Sequence, residues 1–199
     1  VHSVDIPAMI DGGEGHDHLT GGSASDTLIG GGGNDIVRGQ GGADIILGDD
    51  GNDCLHGGSA DDNIDGGEGH DWIDGGWGDD FINAGARHGR VLGGSGNDIV
   101  LGGSGNDFLF GNQGEDTILG EGGNDVLTGG TGNDQLNGGN GGDTAAFSGN
   151  QASYTLTLQA NSTVIQDRRG DGNGTDTLTS IEFLDFDSNF NDGAAFQVF

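Results

Sequence analysis

From Gly12 to Ala146 the sequence repeats every nine residues, fifteen times over, without an insertion. The unit is plainest at Gly93–Phe110, "GGSGNDIVLGGSGNDFLF", where it stands twice in succession. Its sixth position is Asp in fourteen of the fifteen units: Asp17, Asp26, Asp35, Asp44, Asp53, Asp62, Asp71, Asp80, Asp98, Asp107, Asp116, Asp125, Asp134 and Asp143. The eighth position is apolar in all fifteen, from Leu19 and Leu28 to Leu136 and Ala145, and the first is Gly in fourteen. A fixed short period of this kind belongs to a solenoid, in which a unit too small for a core of its own buries its apolar face against its neighbours.

Each unit divides into a turn and a short strand. Glycines at positions one, two and four supply positive φ and close backbone approach. The three residues after the acid, such as Ile99-Val100-Leu101, are β-branched or apolar and read as a strand. Strand neighbours face opposite ways, so the eighth residue points inward and its two flankers outward. Two units then make an eighteen-residue coil with a strand on each side. Coils stacked at the strand spacing of about 4.8 Å give an all-β parallel roll about 36 Å long. One inward side chain per unit is a thin core against the entropy of ordering so long a chain.

Charge sets the next condition. The chain holds 33 acids, five Arg and no Lys, for a net charge of −28. Such a surface repels nucleic acid and anionic membranes and attracts cations. An eighteen-residue coil also stacks the sixth-position acids into two columns. One holds Asp17, Asp35, Asp53, Asp71, Asp107, Asp125 and Asp143; the other holds Asp26, Asp44, Asp62, Asp80, Asp98, Asp116 and Asp134. Carboxylates about 5 Å apart repel by roughly 3 kcal/mol at an effective dielectric of 20. The roll is therefore expected to need cations.

Calcium suits these columns because it takes six to eight oxygens and accepts backbone carbonyls beside carboxylates. Zinc wants His or Cys in a tetrahedron, and magnesium keeps its waters. The expected ligands are the fourteen column aspartates with the turn carbonyls of Gly30, Gly33, Gly48, Gly51, Gly66, Gly69, Gly93, Gly96, Gly102, Gly105, Gly120 and Gly123. Counting neighbouring acids with both partners present gives five places in the first column and six in the second, so up to about eleven calcium ions.

The unit G-G-x-G-x-D-x-U-x, with U a large apolar residue, resembles the calcium-binding nonapeptide of RTX (hemolysin-type) proteins. That resemblance covers about two-thirds of the chain. It implies a secreted bacterial protein whose repeats wind into a β-roll around rows of calcium. The ending, "GGDTAAFSGN" through "DTLTSIEFLDF", resembles the C-terminal cap of serralysin-type exoproteins. In that family the extreme C-terminus carries a type I secretion signal, and "NDGAAFQVF" resembles such a tail.

Departures from the unit sharpen the expectations. The ninth unit, "AGARHGRVL" (Ala84 to Leu92), has Gly89 in place of the acid and Arg87 in place of the third glycine. Asp71 and Asp107 should lose their stacked partner there. Either Arg87 or Arg90 supplies positive charge in its stead, or the unit has drifted. Ala24 and Ala60 replace turn glycines and should weaken their turns slightly. Asp49 and Glu121, at second positions, should be solvated.

No catalytic pattern is present: neither H-E-x-x-H nor G-x-S-x-G occurs. His16 and His18 flank Asp17 at variable positions and read as solvent-exposed histidines. Cys54 reads as a lone surface thiol without an internal disulfide, open to pairing between chains. Outward apolar residues gather as Leu92, Phe108 and Phe110 on one sheet and Ile45, Leu47, Phe81, Ile99 and Leu101 on the other. They mark either a docking surface or a face packed beneath the C-terminal segment.

Residues 1–11 read as an N-terminal cap strand, with Val4 to Ile10 closing the first coil and Ile10 in the inward register. "VHSVDIPAMI" is not a signal peptide, and a start at Val1 without Met is expected of a processed product or an excised fragment. Residues 12–146 form the roll and residues 147–199 a small β cap. Within the cap, Ser153 to Asp167 reads as two strands joined at Gln159 to Ser162, "RRGDGNGTD" as a turn, and Thr177 to Phe186 as one further apolar strand. Tyr154, Leu156, Leu158, Val164, Ile165, Leu178, Ile181, Phe183, Leu184 and Phe186 are its apolar supply. No transmembrane stretch is present. The expected function is a non-catalytic calcium-binding module that folds on export, attached to an upstream domain and passed through type I secretion machinery. An adhesin or carbohydrate-contacting roll, or the tail of an extracellular protease or lipase, are the alternatives.

Overall fold

The computed structural model describes residues 6–149, 151–168, 174–186 and 196–197. Among them there is no α-helix; the single helical turn is the 3-10 segment Gln151–Ser153. Strands Met9–Glu14, Thr27–Gly32, Ile45–Asp50, Asn63–Asp65, Phe81–Asn83, Ile99–Leu101, Thr117–Leu119 and Gln135–Asn137 stack in parallel into one sheet. Strands His18–Thr20, Ile36–Gly41, Cys54–Ser59, Trp72–Trp77, Arg90–Ser95, Phe108–Gln113, Val126–Thr131 and Thr144–Ala146 form the opposite sheet. The chain visits the sheets alternately, so Leu28 lies beside Ile46 and Ile46 beside Ile64, one coil apart. This is the expected parallel β-roll.

The eighth-position residues are its core. Leu28, Val37, Ile46, Leu55, Ile64, Ile73, Ile82, Val91, Val100, Leu109, Ile118 and Leu127 are all fully buried. Position-seven and position-nine residues are exposed or half-buried, as alternation along a strand requires, except for Ala146 in the last unit, which is buried. Ile10 lies opposite Leu28 and packs against the core, placing Met9–Glu14 as the first strand. Val4 lies outside the described residues.

The C-terminal region differs from the sequence expectation in one respect. Tyr154–Leu158 and Thr163–Asp167 form the expected antiparallel hairpin. The stretch Thr177 to Phe186, however, is two strands and not one. Thr175–Thr179 lies parallel to Gln135–Asn137 in the first sheet, and Phe183–Asp185 lies parallel to Thr144–Ala146 in the second. The segment adds a ninth parallel strand to each sheet and so a further coil to the roll, reached after the chain has made the hairpin. The hairpin then pairs antiparallel with Thr175–Thr179 and continues the first sheet. Ser180 sits between the two short strands at φ 48, where a single extended strand would have to break.

Phe147, Tyr154 and Phe186 close the end of the core, with ring centroids 5.2 to 5.7 Å apart. Ile165, Leu178 and Leu184 are buried with them, whereas Leu158 is 65% exposed and takes no part. Most of "RRGDGNGTD" and most of "NDGAAFQVF" lie outside the described residues; of the latter, Phe196–Gln197 pairs antiparallel with Phe183–Asp185. Ile45, Phe81, Ile99 and Phe108 remain between 41% and 45% exposed, so no described part of the chain covers these four, whereas Leu47, Leu92, Leu101 and Phe110 are half-buried. Trp72, 41% exposed, faces outward on the second sheet, as Phe108 does, and Trp77, 70% exposed, stands at the third position of its unit.

Candidate metal centre

The turns that link the two sheets bring the sixth-position acids into line along each edge of the roll. Thirteen of the fourteen are at most 4% exposed; only Asp17, in the first coil, is half-buried. Each column is a hydrogen-bond ladder. The amide of Asp35 donates to Asp53 Oδ1 at 2.7 Å and the amide of Asp53 to Asp71 Oδ1 at 2.9 Å. In the other column the Asp62 amide donates to Asp80 Oδ1 at 2.8 Å, and the pattern runs on to Asp134. From Asp26 onward, one carboxylate oxygen of each acid thus ties its coil to the one before.

The other oxygen is left over. Oδ2 of Asp17, Asp35, Asp44, Asp53, Asp62, Asp71, Asp80, Asp98, Asp107, Asp116, Asp125, Asp134 and Asp143 is buried and accepts no hydrogen bond. Asp26 alone spends its Oδ2 locally, on the amide of Gly22 at 2.7 Å. A buried, unpartnered carboxylate oxygen costs of the order of 1–3 kcal/mol or more, so a repeated series of them calls for a shared partner.

The first-position glycines show where these oxygens point. A side chain on Gly30 would bring its first carbon within 2.6 Å of Asp35 Oδ2 and 2.8 Å of the Gly48 carbonyl oxygen. On Gly66 the corresponding distances are 2.8 Å to Asp71 Oδ2 and 2.6 Å to the Ala84 carbonyl; on Gly102 they are 3.0 Å to Asp107 Oδ2 and 2.7 Å to the Gly120 carbonyl. A carboxylate oxygen and a carbonyl oxygen from the next coil therefore converge on a space that only glycine leaves open. Among the described residues no three His, Cys, Asp or Glu side chains gather at one point. A donor set with few carboxylates at any one place and carbonyls beside them is one for a hard, oxygen-seeking cation such as calcium, and is unsuited to zinc. The residues present fit calcium.

Burial dominates the electrostatics. It pushes Asp53, Asp71, Asp80, Asp107, Asp116 and Asp125 up to about 6, against the pull of the amides they accept. Asp62 and Asp98 rise to about 7, with carboxylates in the adjoining coils adding to the effect of burial. Asp44, Asp134 and Asp143 are raised in the same way.

The ninth unit is a paired exchange. Ala84 stands where a first-position glycine belongs, and its side chain is buried in the core. A side chain on Gly89 would put its first carbon 2.8 Å from the Ala84 methyl, with Asp107 Oδ1 next nearest. The methyl has taken the carboxylate's place. Neither arginine does so: Arg87 is exposed at φ 83, and the Arg90 guanidinium lies over the Phe110 ring at 5.0 Å on the outer face. The ladder loses the rung that a carboxylate at 89 would offer the Asp71 amide, and it resumes at once, because the Gly89 amide donates to Asp107 Oδ1 at 2.7 Å.

Two features went unread in the sequence. The fifth position, taken as variable, carries a second ladder of opposite polarity. The amide of Asn52 donates to Asn34 Oδ1 and that of His70 to Asn52 Oδ1, while the Asn34 amide donates to His16 Nδ1. The prevalence of Asn, Asp and His at this position was its signal. The second feature is that both acid columns continue beyond the repeats. The Asp134 amide donates to Asp176 Oδ1 at 3.0 Å, and the Asp143 amide to Glu182 Oε2 at 2.8 Å. The fragment "GTDTLT" (174–179) holds the last six positions of the unit, G-x-D-x-U-x, without its opening glycines.

Ala60 adopts φ 80 in its turn and is strained there, whereas Ala24 does not enter the left-handed region. Asp49 and Glu121 are exposed at φ 66. Cys54 is a half-buried free thiol whose pKa burial raises.

No curated protein matches the chain. The family model for RTX calcium-binding nonapeptide repeats, four copies long, matches residues 9–37, 20–55, 29–63, 56–86, 92–127 and 110–145, leaving out the residues around Gly89. With the stacked acids, the first-position glycines and the parallel roll already in view, that match settles the family: the chain belongs to the RTX calcium-binding nonapeptide repeat proteins.

Proposed function

We propose that this chain is a calcium-dependent folding module of a larger exported protein, without catalytic activity of its own. The observation that carries the reading is the series of thirteen buried Oδ2 atoms, none hydrogen-bonded and twelve of them facing a carbonyl across a glycine. Bound calcium would supply positive charge to both columns and accept the oxygens that they present. The aspartates align the coils through Oδ1 and offer Oδ2 as ligand. The carbonyls of Gly30, Gly48, Gly66, Gly93 and Gly120 face that oxygen, whereas that of Gly102 falls beside the ninth unit, which has no acid; those of Gly33, Gly51, Gly69, Gly96, Gly105 and Gly123 lie three residues further along the turn. Up to about eleven ions fit between intact pairs of column acids.

Where calcium is scarce, repulsion within the columns keeps the chain open and fit for export; outside the cell calcium closes it. Residues 147–199 would cap the far end and carry the type I secretion signal, and an upstream domain would fold behind the roll. Secreted localisation and passage through the secretion machinery follow from that reading. Circular dichroism tests it. A metal-free chain at neutral pH should lack β signal and gain it cooperatively at about 10⁻⁴–10⁻³ M calcium, the range of extracellular modules. Full β structure in excess chelator would overturn the proposal.

A further inference from the structure

The C-terminal coil is joined to the roll by more than apolar packing. Asp143 is fully buried in the last repeat, and its Oδ2 has no hydrogen-bond partner. A side chain on Gly138 would bring its first carbon 2.5 Å from that Oδ2 and into the carbonyl oxygen of Ser180. Within the roll, the carbonyl at this point belongs to the first glycine of the next repeat, as Gly48 does for Gly30. Here no such repeat follows. Ser180 supplies the carbonyl instead, from a left-handed conformation that turns the chain between its two short strands.

Glu182 follows two residues later, where a repeat would place Asp five residues after its glycine. The turn is shorter and the side chain one methylene longer, and the carboxylate still reaches the Asp143 amide at 2.8 Å. On the other edge, Asp176 is 3% exposed and accepts the amide of Asp134, whose own Oδ2 is buried and unpartnered.

The geometry points to a cation site that the repeats do not contain, formed by Asp143 Oδ2, the Ser180 carbonyl and the Glu182 carboxylate, with a companion between Asp134 and Asp176. Both take calcium, and both clamp the C-terminal coil onto the roll across a gap of about forty residues of sequence. Asp143 to Glu182 and Asp134 to Asp176 span 39 and 42 residues, where successive repeats on one edge are 18 apart. Metal that bridges here closes the longest loop in the described chain. It makes docking of the C-terminal coil depend on the same ion as the roll itself. This inference rests on the calcium reading above.

Bound calcium per full-length chain, measured by equilibrium dialysis at saturating calcium, tests it. Glu182→Gln keeps an oxygen for the Asp143 amide and removes the charge; Asp176→Asn does the same for Asp134. Each should lower the bound calcium by one ion per chain, and the two together by two. Glu14→Gln, which removes an exposed acid outside the columns, should leave the number unchanged. Unchanged binding in Glu182→Gln and Asp176→Asn would overturn the inference while leaving the calcium reading intact; an unmodified chain that binds no calcium would overturn both. Hydrogen exchange on the unmodified chain gives a second measure that needs no variant. Amides of residues 175–185 should become protected only as calcium is added, together with those of the last two repeats. Protection of that segment in chelator, or none at saturating calcium, would equally contradict the clamp.

Discussion

Glycine serves two separate purposes within one nine-residue unit. At the second and fourth positions it takes positive φ, as in Gly94 at 124° and Gly96 at 134°. Gln40, Asp49, Asn112 and Glu121 also enter the left-handed region at second positions, so that requirement is soft. At the first position φ is not positive, and the need is for room beside Oδ2. The ninth unit shows the consequence, since Ala84 is tolerated only where the acid is absent. Gly89→Asp alone should therefore overpack the site against the Ala84 methyl and destabilise the calcium-loaded chain by about 1–3 kcal/mol. Adding Ala84→Gly should relieve the clash and raise the calcium bound, because Asp71 and Asp107 each regain a stacked partner. Denaturation in calcium and dialysis measure the two effects; a double variant no more stable than the single one would contradict the paired exchange.

Among the elements, the strands and their alternation between two sheets were legible because one apolar residue at a fixed interval names both the inward face and the coil. The acid columns followed from the same period. The C-terminal coil was not legible in the same way. Thr177 to Phe186 is apolar enough to pass for one strand, and the spacing from Asp176 to Glu182 breaks the nonapeptide rhythm. Only the pairing of Leu178 with Leu136 and of Leu184 with Ala145 shows that the segment has two inward residues on two sheets. The fifth-position ladder was missed for a related reason: Asn, His, Asp and Ser differ as residues but share an acceptor at similar reach. Asn52→Ala removes the acceptor of the His70 amide, which is bonded at 2.8 Å. It should lower stability in calcium by about 1 kcal/mol while leaving the bound calcium unchanged. A loss of calcium instead would make that ladder part of the metal site.

For the whole molecule, net charge of −28 and two buried acid columns make protons and metal alternative means of neutralisation. Burial raises Asp62 and Asp98 from 3.8 to about 7 and Asp80 and Asp116, in the same column, to about 6. Acids that hold their protons more tightly when folded favour the folded state fully below their unfolded pKa, and lose that contribution as pH rises through the folded value. The metal-free chain should therefore gain β structure on acidification from neutral pH toward pH 4 and lose it again between about pH 6 and 7. With calcium the dependence reverses, because the metal must displace protons, and the calcium midpoint should fall as pH rises. A metal-free chain with no gain on acidification would contradict the burial argument.

Electron density at the acid columns of the calcium-loaded chain is the most direct test of the account. The account predicts a row of anomalous peaks along the Asp26 column, each within ligand distance of an Asp Oδ2 and a first-position carbonyl, and a row on the opposite edge interrupted at Gly89. Buried Oδ2 atoms that meet only protons or water at saturating calcium would contradict it, and so would a fully ligated ion beside Gly89.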